Sequence, residues 1–183
     1  RGAERSLQLA LDRLGADLIV VPAGAEMRVE SALLTGKPTT AWMPDSYYQG
    51  IAGMAGVAQA SPQLFLGSLM DAPCCAVSEM FMIAVDPRTD FTVKPWLRGN
   101  LGRDLSLGEV VGGKYIFHPE GEAYIMLYGY PLMLVGNLEP TGTGIDQTMF
   151  MDMNTALDMS RLSVYQAEKP LEIPPRSISA VMV

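Results

Sequence analysis

The sequence predicts an α+β fold: an α/β lobe built from both chain ends, residues 1–67 and 141–183, with a β-rich lobe, 68–140, inserted between them. Three observations predict it. Leu7, Ala10, Leu11 and Leu14 recur at i, i+3, i+4 and i+7, which is helical spacing, and a strand-like apolar run follows at 17–21. The stretches 57–69, 77–85 and 115–138 are rich in strand formers broken by Pro and Gly. Helical character returns at 154–162, and a last strand is expected at 177–183.

In chain order, the helix at 6–14 stops at Gly15, and the strand at 17–21, read as buried, ends at Pro22 and Gly24. A second helix is expected at 25–34, with Met27, Ala32, Leu33 and Leu34 apolar and Gly36 as its stop. A third is expected at about 47–55, with Asp45 or Ser46 accepting hydrogen bonds from its first free amides, although Gly50 and Gly53 weaken it. Strands are read at 57–69, 77–85 and 115–138. Within the last, 124–128 and 132–138 flank Gly129-Tyr130-Pro131 as a hairpin. Asn154 reads as an N-cap, and Ile173-Pro174-Pro175 as a stiff linker to the final strand.

The 183 residues suffice for a sizeable core, and 49% of them are hydrophobic against 18% charged. Thirteen basic and 20 acidic residues give a net charge of −7. That balance excludes a nucleic-acid partner, which needs a basic face to displace counterions. It also argues against a domain lying on an anionic membrane surface. No apolar run approaches the ~18 residues that span a bilayer. The start at Arg1 and the apolar end at Val181-Met182-Val183 read as marks of a segment from a longer protein.

Few residues offer chemistry. The lone His118 excludes sites needing several histidines, and it reads as a surface or capping residue. Thr141-Gly142-Thr143-Gly144 resembles a phosphate cradle, but it lacks the G-K-[ST] of a P-loop and the third glycine of a dinucleotide fingerprint, so a turn or hinge is expected. Asp86 and Asp90 in Asp86-Pro87-Arg88-Thr89-Asp90 suit turn chemistry better than catalysis. The most unusual feature is the adjacent pair Cys74 and Cys75. Met80 and Met82 follow on one strand face, and a second cluster holds Met149, Met151, Met153 and Met159. Thiolate and thioether suit a soft transition metal such as Cu(I), and the pair reads as a candidate metal or redox site. Both residue types also fill apolar cores, and that reading stands beside the metal one.

Five segments, in order, resemble the extracytoplasmic domain of FtsX/MacB-type ABC-transporter permeases. They are Leu14-Gly15-Ala16-Asp17-Leu18-Ile19-Val20-Val21-Pro22 after a helix, and Met82-Ile83-Ala84-Val85-Asp86-Pro87. Next come Trp96-Leu97-Arg98-Gly99 with Gly102-Arg103-Asp104-Leu105 and Gly108-Glu109-Val110-Val111-Gly112-Gly113. Met133-Leu134-Val135-Gly136-Asn137-Leu138-Glu139 and Met149-Phe150-Met151 leading to Thr155-Ala156 complete the set. The resemblance implies a MacB-like architecture, with the α/β lobe porter-like, in a domain on the periplasmic face of a cytoplasmic-membrane protein. One transmembrane helix would precede Arg1 and three would follow Val183. The implied partners are a cytoplasmic ATP-binding subunit, a second permease copy, and an extracytoplasmic protein, peptide or lipid. It further implies mechanotransmission without catalytic residues and without a cofactor in this domain. The expected hinges are the lobe crossings at Gly67 and at Thr141, Gly142 and Gly144.

Overall fold

A computed structural model describes residues 15–67 and 80–183. The expected helix at 6–14 and the Cys74–Cys75 pair lie outside the described residues. The fold is α+β, with four α-helices and a large mixed sheet among the described residues. Strands β1 (Ile19–Val20), β3 (Ser61–Gly67), β4 (Phe81–Val85), β5 (Glu109–Gly112), β6 (Ile125–Leu127), β7 (Tyr130–Asn137), β8 (Thr148–Asp152) and β10 (Ala180–Met182) form one sheet. Its order is β1-β10-β3-β4-β8-β5-β7-β6. A separate ribbon pairs β2 (Met43–Pro44) with β9 (Ser177–Ile178). The helices are α1 (Glu26–Thr35), α2 (Ser46–Ala52), α3 (Lys94–Asn100) and α4 (Met153–Gln166). The segments 1–67 plus 141–183 and 68–140 contribute alternately to the sheet, because β4 of the second lies between β3 and β8 of the first.

Burial on both faces explains the unbroken apolar runs. β4 and β8 are parallel neighbours, and every residue of both is buried. Alternate residues feed two cores. Phe65, Phe81, Ile83, Phe150 and Val111 point to one, with Val29, Ala32 and Leu33 of α1 and Leu97 of α3 above them. Leu66, Met82, Met149, Met151 and Val110 point to the other, under Ala156 and Met159 of α4. The Phe65 and Phe81 rings meet edge to face at 5.3 Å.

Several elements differ from expectation. The strand at 17–21 shortens to β1, a half-buried sheet edge, and Leu18 is exposed. Met27 is 83% exposed, because it sits five residues from Ala32, about 140° around the helix from the stripe facing the sheet. Gly36 does end α1, with φ 74° and its amide donating to the Ala32 carbonyl. Asp45 precedes α2 without capping it, since its carboxylate faces Arg176 instead. α4 begins one residue before Asn154, and Asp152 caps it by accepting from the Asn154 amide at 2.8 Å. The hairpin turns at Tyr128-Gly129, one residue earlier than expected. Leu127 pairs with Tyr130, and both turn residues have positive φ (53° and 75°), as a two-residue primed turn requires.

Candidate functional site

A group of charged residues lies where the parallel strands β4 and β8 end. Their register pairs Val85 with Asp152, so Asp86 and Asp152 leave the sheet side by side. The chain then makes a turn, with the Asp86 carbonyl accepting from the Thr89 and Asp90 amides and its carboxylate from the Arg88 amide. Asp90 is buried, and its carboxylate accepts from the amides of Thr92, Val93 and Lys94 at the start of α3. Lys94 Nζ donates to the Pro87 carbonyl at 2.5 Å and lies 3.4 Å from Asp104. Asp90, Lys94, Asp104 and Asp152 line a cavity of about 20 Å³. That is room for one water at most. Asp86 and Asp90 are turn and capping groups in this arrangement.

Burial pushes the Asp152 carboxyl above its ordinary value of 3.8, and the nearby Asp86 and Asp104 charges push the same way. The Asn154 amide, bonded to the carboxylate, opposes them. A carboxyl whose folded pKa is raised costs stability once ionised, so its penalty is absent at low pH and complete above the folded pKa. Asp152→Asn keeps an oxygen for the cap and removes the charge. It should be more stable than wild type at pH 7, with the advantage shrinking as pH falls toward and below 3.8. Asp152→Ala loses the cap and should cost about 1 kcal/mol. Urea unfolding of the three proteins across pH measures both effects. An Asn variant less stable than wild type at pH 7 would contradict this account.

The Thr141–Gly144 loop does hold an anion, but an internal one. The Asp146 carboxylate accepts from the Thr141 amide (2.7 Å), the Thr141 hydroxyl (3.0 Å) and the Gly142 amide (2.9 Å). Asp146 is buried, so the donors that would meet a phosphate are already engaged. Gly144 abuts the end of α1. A Cβ there would stand 2.6 Å from the Ala32 carbonyl oxygen and 2.8 Å from Gly36 Cα. Gly67, the other expected hinge position, ends β3, and its carbonyl accepts from the Tyr128 hydroxyl at 2.6 Å.

Met80, Met82, Met149, Met151 and Met159 gather in one apolar core, all fully buried, with Met153 packed at its edge. Burial among apolar side chains accounts for them as core-filling residues. Among the described residues, no group of three or more His, Cys, Asp or Glu is placed to hold a metal ion. His118 is half-buried. Its Nε2 lies 3.3 Å from the Leu134 carbonyl oxygen, and its buried Nδ1 has no partner. A triad histidine would bridge an acid and a nucleophile, and this one does neither.

Two larger cavities lie elsewhere, both bordered by Trp42. Sequence reasoning passed over Trp42, because an isolated tryptophan in a Pro- and Thr-containing loop carries no motif. No helix among the described residues is long and apolar enough to cross a membrane. The chain matches no family model, and no curated protein matches it.

Proposed function

We propose that this chain is the extracytoplasmic domain of an FtsX/MacB-like ABC-transporter permease and carries ATP-driven motion to an extracytoplasmic partner or substrate. The observation that supports the reading is the pairing of the first and last described strands. Ile19 pairs with Met182, the Asp17 and Leu18 amides donate to the Val183 carbonyl, and the Val183 amide donates back to Leu18. A domain set between two membrane helices needs its entry and exit close together, and adjacent strands lie about 4.8 Å apart. Force applied at β1 and β10 would pass through eight hydrogen-bonded strands to β6 at the opposite edge. The sheet is the lever in this reading, and the domain carries no chemistry of its own. The metal- or redox-handling alternative rests on Cys74 and Cys75, which lie outside the described residues.

Cell fractionation of the full-length gene product tests the proposal. The product should sediment with membranes, and protease added to spheroplasts should cut this domain while leaving cytoplasmic controls intact. Recovery in the soluble fraction, or protection from external protease, would overturn it.

A further inference from the structure

We propose that α2 and the stretch that follows it, residues 46–60, rest against the zwitterionic surface of a lipid bilayer. No residue between Asp45 and Asp71 is charged. Burial accounts for that in β3, where six of the seven residues are buried. It does not account for 46–60, in which no residue is buried. Charged side chains ordinarily collect on exposed segments, and this one has none. Its sequence repeats Gly-apolar-Ala three times, as Gly50-Ile51-Ala52, Gly53-Met54-Ala55 and Gly56-Val57-Ala58. Tyr47 is 58% exposed and Met54 59%. A contiguous exposed apolar segment marks a contact with a partner or a membrane.

The place of the segment in the fold selects the membrane, and here the inference rests on the transporter reading. Ala60 precedes Ser61, which pairs with Met182, and Met182 pairs with Ile19. Tyr48, Ile51 and Ala60 pack against the core of Met43, Ile178 and Val181, as do Val20 and Val183. The stretch therefore borders the sheet end that holds Val183 and the exposed Leu18. In the transporter reading the membrane helices join the domain at this end. An uncharged segment meets the headgroup region without stripping water from an ion. A tyrosine such as Tyr47 suits that region, with its ring toward the acyl chains and its hydroxyl in water. The intervening Gly and Ala have no side chain long enough to hold the backbone off a flat surface. Two successive turns pair backbone groups internally: the Met54 amide donates to the Ile51 carbonyl (3.1 Å), and the Val57 amide to the Met54 carbonyl (3.2 Å). The net charge of −7 opposes an anionic surface, so the contact is with neutral headgroups.

The test uses the full-length gene product in phosphatidylcholine bilayers. The probe is a phosphatidylcholine with a photoactivatable diazirine on an acyl carbon near the headgroup, and the labelled residues are mapped by peptide mass spectrometry. Residues 46–60 should take up at least ten times as much label as residues 115–124. That second stretch carries Tyr115, Phe117 and Tyr124, all exposed, so it controls for mere accessibility of apolar side chains. Met54→Glu should cut labelling of 46–60 at least tenfold and leave the unfolding midpoint unchanged, because Met54 is largely in solvent. Exchanging half of the lipid for phosphatidylglycerol should not raise the labelling. Equal labelling of the two stretches, full labelling in Met54→Glu, or labelling that requires the anionic lipid would each overturn the inference. A product that fractionates with membranes and is cut by external protease, yet takes no label at 46–60, removes this inference and leaves the transporter reading standing. A product recovered as soluble protein removes both.

Discussion

Replacing Gly144 with alanine should destabilise the chain by about 3 kcal/mol, near the upper end for overpacking a close contact. The new Cβ would meet backbone on every side: the Ala32 carbonyl oxygen at 2.6 Å, Gly36 Cα at 2.8 Å, and the Gly36 amide nitrogen. None of these atoms can rotate away as a side chain would. The Gly36 amide is also the donor that closes α1, so displacing it disturbs the helix stop as well. Gly142→Ala, two residues earlier, is the internal control. Gly142 has φ 70° but open space around its Cβ position, so the cost there is left-handed strain alone, about 1 kcal/mol. Chemical denaturation of both variants decides the matter. A Gly144 cost no larger than that at Gly142 would mean that the loop yields, as a hinge does. The larger cost would mean that this glycine is required for close approach.

What the sequence could reveal follows from the range over which each signal acts. The Gly36 stop was legible because a left-handed helix end is a local event written in one residue. The doubly buried β4 was legible because Phe81-Met82-Ile83-Ala84-Val85 is apolar on both faces. β5 is only four residues long, and its partners β7 and β8 come from distant sequence, so nothing local announces it. The third core, Met43, Ile178 and Val181, joins residues far apart in sequence for the same reason. The methionines show the opposite limit. Their clustering was visible, but whether thioethers face a metal or each other depends on which face of which strand they share, and pairing fixes that. The glycine-rich loop was legible as a loop. That Asp146 would fill it depended on a turn tight enough to bring residue 146 back onto the amides of 141 and 142.

Asp90→Ala should match or exceed the loss at Gly144, at about 3 kcal/mol or more, by a different mechanism. The Asp90 carboxylate is 6% exposed and accepts four hydrogen bonds: the Thr92 amide (3.0 Å) and hydroxyl (2.6 Å), the Val93 amide (3.0 Å) and the Lys94 amide (2.8 Å). Alanine removes the acceptor and strands three amides where water has little access, and each buried donor left unpaired costs about 1–3 kcal/mol. Relaxation recovers part of that sum, which is why the expected total is not threefold. Those amides open α3, and the helix in turn holds Leu97 in the core and lays Trp96 over Gly136, where the ring edge would stand 3.0 Å from an added Cβ. Loss of the carboxylate should therefore free α3 before the sheet melts. Amide exchange at 94–100 should quicken more than exchange in β4 or β8. Asp90→Asn keeps one acceptor oxygen and places an amine against the remaining donors, so an intermediate loss is expected. A cost below about 1 kcal/mol for the alanine variant, or exchange that quickens uniformly across the sheet, would show that the α3 start is held by its apolar contacts and not by this carboxylate.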